Sequence, residues 1–170
     1  QEILSDPCTI DQILVMTYPL IGNYGIIDED YDSKVIGPKG LVVREYNDKP
    51  SNFRYTKTLN ECLEENDVVG ISHVDTRKLT RILRDEGNMI GLICDIDKDH
   101  ETAMNQIRSY QQPTDSVMKV SCKKKWYSRC ANPKYSVAIL DGGVKFGLIR
   151  ELNRLGCNVT VVPYNMPVDK

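Results

Sequence analysis

Three short clusters carry side chains suited to chemistry. Asp75-Thr76-Arg77 sets a carboxylate, a hydroxyl and a guanidinium side by side, as a ligand edge of an open α/β sheet would. Asp141-Gly142-Gly143-Val144-Lys145-Phe146-Gly147 brackets two glycines with an acid and an ammonium, as a turn that holds an anion on backbone N–H groups would. Lys123-Lys124-Lys125-Trp126-Tyr127 joins cations to aromatics, the pairing of a nucleic-acid groove. A plainer reading outranks each of these. Asp75 or Thr76 serves as a helix cap, with Arg77, Lys78 and Arg81 on a solvated face. The glycine turn matches neither G-x-G-x-x-G nor a P-loop, so it reads as a tight structural turn. The basic run reads as a solvated linker in a chain whose net charge is only -2.

Hydrolytic chemistry finds no support among these residues. Neither His73 nor His100 sits near a Ser or Cys in a strained-turn context, and no G-x-S-x-G or G-x-C-x-G elbow occurs. The acids Asp28, Glu29, Asp30 and Asp32 lack the ligand spacing of a calcium loop and read as a solvated turn. With two histidines and no C-x-x-C pair, no metal site is expected. Of the six cysteines, Cys62, Cys94 and Cys157 lie in apolar patterns and are expected in the core, with no disulfide framework.

Composition bounds the class. The 170 residues are 41% hydrophobic and 27% charged, enough for one domain and part of a second. No apolar run approaches the roughly 20 residues that cross a bilayer, and Gln1 does not open a signal-peptide pattern. A reduced, cytoplasmic, metal-free protein is the expectation, from a chain that is processed or truncated, since it lacks an initial Met.

The elements that must position these clusters alternate between strands and helices. Strands are expected at 13–16, 40–44, 68–71 and 89–94. A helix capped by Thr58 turns Leu59, Cys62 and Leu63 inward, and a stronger one capped by Asp75 or Thr76 turns in Leu79, Ile82 and Leu83. Gly87 should end the latter in the left-handed conformation. A weaker helix at 101–110 faces Ala103, Met104 and Ile107 inward. Residues 113–134 read as a connector, rich in Pro, Ser and Lys. Then 136–140 is a clean buried strand, a helix follows with Leu148, Ile149, Leu152 and Leu155 inward, Gly156 ends it, and 159–162 is a strand parallel to the first. One β-α-β unit is not a stable domain, so a second domain is expected to begin at 135 and to be truncated at 170.

Several blocks in sequence order carry a resemblance to a known family. Gln1-Glu2-Ile3-Leu4-Ser5-Asp6-Pro7, then Thr17-Tyr18-Pro19-Leu20-Ile21-Gly22-Asn23-Tyr24-Gly25, then Ser51-Asn52-Phe53-Arg54 and Asp75-Thr76-Arg77-Lys78-Leu79-Thr80-Arg81 together resemble the small, glutamine-hydrolysing chain of carbamoyl phosphate synthetase. Asp141-Gly142-Gly143-Val144-Lys145 resembles the opening of its class I glutamine amidotransferase domain. The resemblance implies an N-terminal small-subunit α/β domain over 1–112, a connector over 113–134 and the first β-α-β of a flavodoxin-like amidotransferase domain over 135–170.

It further implies a function. The family's cysteine, histidine and glutamate, which hydrolyse glutamine, lie beyond Lys170, so this stretch carries no catalytic residue. Its role would be to dock on a large synthetase subunit and position the glutaminase, whose ammonia meets carboxyphosphate made from bicarbonate and ATP. No cofactor is expected in this chain; ATP and Mg2+ belong to the large subunit. The pathways implied are arginine and pyrimidine biosynthesis. The residue after D-P, a glutamine-binding Ser in the family, is Cys8 here, and a thiol is a weaker hydrogen-bond partner than a hydroxyl. The chain also departs from the family pattern at His73-Val74 and at Gly142 and Gly147, which stand where a bulky residue and an Asn are usual. A non-catalytic α/β interaction module derived from the same family is the rival reading, and a nucleic-acid domain using residues 123–129 is a third.

Overall fold

The computed structural model describes residues 1–167 of the chain. It resolves into two compact units, one made of Asp11–Glu29 and Pro38–Pro113, the other of Gln1–Ile10, Asp30–Gly37 and the chain from Thr114 onward.

The first unit is built on three short parallel strands, β1 (Ile13–Val15), β3 (Gly40–Val42) and β5 (Val69–Ile71), in the order β1-β3-β5. Leu14 pairs with Leu41 and Leu41 with Gly70, so the centre of the sheet is apolar. A second parallel pair joins β2 (Leu20–Ile21) to β4 (Glu45–Tyr46). These two-residue strands have no periodicity to announce them in the sequence. Helix α1 (Leu59–Glu65) starts with a reciprocal cap. Thr58 Oγ1 accepts from the Glu61 amide at 3.2 Å, and Glu61 Oε2 accepts from the Thr58 amide at 2.7 Å. The backbone N–H of Thr58, followed by its hydroxyl, holds the Glu61 carboxyl below its ordinary value. Leu59, Cys62 and Leu63 are buried, as the helical spacing requires.

Helix α2 (Thr76–Glu86) is capped by Asp75, whose Oδ1 accepts from the Lys78 amide at 3.0 Å. Its inward stripe is Thr76, Leu79, Thr80 and Leu83; Ile82, expected inward, is 39% exposed. Gly87 ends the helix with φ 84 and ψ -164, so its positive φ is as expected but its ψ is extended rather than left-handed helical. Helix α3 (His100–Ser109) turns Ala103, Met104 and Ile107 to its more buried side.

The expected strand at 89–94 does not form. Ile93 Cδ1 reaches to 2.8 Å from where a Cβ on Gly40 would stand, so the segment packs on the sheet without joining a ladder. Met89 is 57% exposed, and Cys94, expected in the core, is exposed as well. An apolar run becomes a strand only when an open strand edge accepts its backbone, and none receives it here.

In the second unit, β7 (Tyr135–Asp141), α5 (Phe146–Arg154) and β8 (Cys157–Pro163) form a β-α-β with β7 and β8 parallel over seven residue pairs. The 113–134 stretch, expected as a connector, contains a short helix, α4 (Ser116–Val120), and a strand, β6 (Trp126–Ser128), antiparallel to β8. The sheet order is therefore β6-β8-β7. Ile149, Cys157, Val159 and Val161 are the core, with Trp126, Val137, Ile139 and Leu152 packed against them. Leu148 and Leu155, expected inward, are 50% and 63% exposed. Strand β7 is likewise not fully buried: Leu140 is 63% exposed, and among the described residues β7 stands at the end of the sheet order.

Candidate functional site

The turn after β7 lies at the C-terminal end of a parallel strand, the edge where open α/β sheets hold ligands. Its geometry is set by Asp141, which is 4% exposed. Asp141 Oδ1 accepts from the amides of Gly143 and Val144, both at 2.9 Å, and Oδ2 accepts from the amide of Cys122 at 2.8 Å. Burial pushes the Asp141 carboxyl up; the amides of Val144, Gly143 and Cys122, joined by the Cys122 thiol, outweigh it and hold it below its ordinary value. Burial, followed by the neighbouring Asp141, pushes the Cys122 thiol up.

The amides of Gly143 and Val144, which would greet an anion, are occupied by the carboxylate of the same turn. The next amide of the turn region to be used, that of Phe146, donates to the Asp32 carbonyl at 2.7 Å. Gly143 has φ 105, and a Cβ there would lie 2.7 Å from Pro7 Cβ, so only glycine fits. Gly142 has open space around it. The cluster is a tight turn packed against the Asp6-Pro7-Cys8 segment.

Lys145 completes that packing. Its Nζ lies 2.6 Å from Asp6 Oδ2 and 3.2 Å from Asp32 Oδ2. Asp6 also caps the 3-10 turn Pro7–Thr9, its Oδ1 accepting from the Cys8 amide at 3.0 Å. The hydrogen bond from Lys145, then that from the Cys8 amide, holds the Asp6 carboxyl below its ordinary value. The same bonds from Asp6 and Asp32 raise Lys145. Further along, Ser5 Oγ accepts from the Asp32 amide at 2.8 Å, and Ser33 Oγ donates to the Ser5 carbonyl at 2.7 Å. Cys8 is thus an exposed thiol on a segment pinned to the end of β7 through Asp6, Pro7 and Lys145. Residue types alone gave no sign that Asp6 and Asp32 share Lys145, because that partner lies more than a hundred positions away.

The other clusters resolve differently. Asp75 is the helix cap, and His73, with φ 65, lies exposed beside Ser72. Thr76 is fully buried, and its hydroxyl has no hydrogen-bond partner among the described residues. Lys123, Lys124, Lys125 and Tyr127 are exposed, whereas Trp126 turns toward the core beneath Lys34, whose Nζ is 4.9 Å from the ring centroid. Among the described residues, no cluster of three or more His, Cys, Asp or Glu could hold a metal ion, and no helix is long and apolar enough to cross a membrane.

Parallel strands joined through helices, with a pinned turn at a strand's C-terminal end, define an α/β protein of the kind that builds ligand sites from strand-end loops. Residues 1–93 match the family described as carbamoyl-phosphate synthase small chain, CPSase domain, and the chain belongs to that family. It is 43% identical over 170 residues to the carbamoyl phosphate synthase small chain of Bacillus caldolyticus, and 42% identical over 170 residues to that of Listeria innocua serovar 6a. Each alignment takes in 100% of this chain and 46% of the relative. That of Oceanobacillus iheyensis is 41% identical over 165 residues, covering 97% of this chain and 44% of the relative. The chain spans about half the length of the curated relatives it matches.

Proposed function

We propose that the chain is the docking and positioning part of the small subunit of a glutamine-hydrolysing carbamoyl phosphate synthase. The complete subunit would release ammonia from glutamine and pass it to a large subunit. That partner, with ATP and Mg2+, would make carbamoyl phosphate from bicarbonate in the cytoplasm, for arginine and pyrimidine synthesis. The observation that carries this reading is identity above 40% sustained across the whole chain, not over one motif. Under it, β7-α5-β8 opens the amidotransferase domain, and the nucleophilic cysteine, its histidine and its glutamate lie outside these residues.

Cys8 would contact glutamine. The tie from Lys145 through Asp6 to the Cys8 amide supports this, since it holds an exposed polar side chain at the strand-end edge. The purified chain should release no ammonia from glutamine; turnover by these residues alone would refute the proposal. In the complete subunit, Cys8→Ser should lower KM for glutamine several-fold with little change in kcat, because a hydroxyl is the better hydrogen-bond partner. An unchanged KM would remove Cys8 from the glutamine site.

A further inference from the structure

Within the second unit, the stretch 114–167 carries more cations than the acids of that stretch answer. Residues 114–167 contain nine Lys and Arg against three Asp and Glu, a net of +6, while residues 1–113 contain twelve against twenty, a net of -8. All three acids of 114–167 are engaged. Asp115 pairs with Lys119 at 2.9 Å, Glu151 with Arg154 at 2.9 Å, and Asp141 is held by backbone amides. Lys123, Lys124, Lys125, Arg129 and Lys134 are all exposed and form no ion pair among the described residues.

Their placement follows the sheet. In strand β6, Trp126 and Ser128 turn inward; Trp126 packs on the core and Ser128 Oγ accepts from Asn153 Nδ2 at 2.6 Å. By alternation Lys125, Tyr127 and Arg129 share the outward side, where Tyr127 is 55% exposed. β6 ends the sheet order β6-β8-β7, and no strand flanks its other side among the described residues. An open strand edge is a template for another chain, and lysines beside it repel a second equally basic edge. The edge therefore excludes a second copy of itself and selects an acidic strand or loop. Nucleic acid fits less well, since the ring best placed to stack on bases, Trp126, is committed to the core.

We propose that the β6 edge, with Lys123, Lys124, Lys125 and Arg129 around it, docks an acidic segment of a protein partner. On the subunit reading above, from which this inference starts, that partner is the large synthetase subunit. The test measures binding of the 170-residue chain to the purified large chain of the same enzyme across a range of salt concentrations. The wild type is compared with K123Q/K124Q/K125Q/R129Q and with K49Q/K78Q, which alters exposed lysines elsewhere; melting temperatures report folding. The quadruple variant should bind on the order of tenfold more weakly at low salt, mostly through slower association, with a flatter salt dependence. Amides of residues 126–128 should gain hydrogen-exchange protection in the wild-type complex. Equal binding by the folded variant, or no added protection, overturns the surface and leaves the subunit reading standing. No binding by the wild type removes both. Salt-steep binding of a short DNA duplex that the quadruple variant loses would replace the acidic protein with nucleic acid.

Discussion

Lys145 Nζ stands 2.6 Å from Asp6 Oδ2, joining residues 139 positions apart and fixing the segment that bears Cys8 to the end of β7. The same ammonium reaches Asp32 Oδ2 at 3.2 Å, so one cation holds two separate stretches of chain. A lysine with two carboxylate partners is a strut, and its loss should be read in stability and in pH dependence.

Lys145→Met should lower the melting temperature by a few degrees at neutral pH, with Lys145→Arg recovering part of it. The sign in acid follows from Asp6, whose folded carboxyl is held down by Lys145 and then by the Cys8 amide. Such a group contributes stability above its unfolded value and loses it as pH falls through the lower folded value. Lys145 is raised, so its contribution is full below its unfolded value and disappears only as pH climbs through the higher folded one. The gap between wild type and Lys145→Met should therefore be flat through the neutral range and close below about pH 4. Identical melting curves at neutral pH would show the bridge to be an inert surface pair.

Gly142 and Gly143 should respond oppositely to the same substitution. Gly143→Ala forces a Cβ to 2.7 Å from Pro7 Cβ at φ 105. It should cost at least about 2 kcal/mol, from backbone strain and overpacking together. Gly142→Ala meets nothing within 4 Å and should stay within about 0.5 kcal/mol of wild type. Urea midpoints decide this, and equal midpoints would mean the turn is not built as described.

Asp141→Asn keeps the shape and puts an NH2 group where a carboxylate oxygen met backbone N–H groups. At least one buried amide loses its acceptor, at a cost of about 1–3 kcal/mol. The Asp141 carboxyl is below its ordinary value in the fold, so its contribution is present above the unfolded value and lost as pH falls through the folded one. The Asn variant should accordingly be less stable than wild type at pH 7 and lose less of its stability on acidification. A variant as pH-sensitive as wild type would contradict the assignment.

Thr76→Val should be neutral or stabilising by up to roughly 1–2 kcal/mol, because it removes a buried hydroxyl with no partner while keeping the β-branched shape. The Asp75 cap on the Lys78 amide is untouched by the change. Thermal melts of the two proteins suffice. Destabilisation beyond about 1 kcal/mol would mean that the hydroxyl bonds to something.

What the sequence determined by itself is local or carried in blocks. Thr58 with Glu61 three positions on announces a capped helix; Asp75 announces another, and Gly156, at φ 83, closes α5 where the pattern breaks. The short, largely apolar runs at 13–15, 40–42, 69–71 and 157–163 become parallel strands. The ordered motif blocks also identify the family, because each block is short but their order is not repeated by chance. These signals work because caps, turns and alternation act within a few residues.

The tertiary structure decided everything that depends on a distant partner. The apolar run at 89–94 is as strand-like as its neighbours, yet no open edge receives it, while Trp126–Ser128 becomes a strand because β8 lies alongside. Leu148 and Leu155 have the spacing of a core stripe, but α5 turns Ile149 and Leu152 onto the core and leaves those two exposed. Asp6, Asp32 and Lys145 fall in three separate blocks of the sequence with nothing to connect them; they meet where the β7 turn packs on Pro7. Periodicity records which face of an element is apolar. Only the assembled fold determines which other element that face, or an isolated charge, will meet.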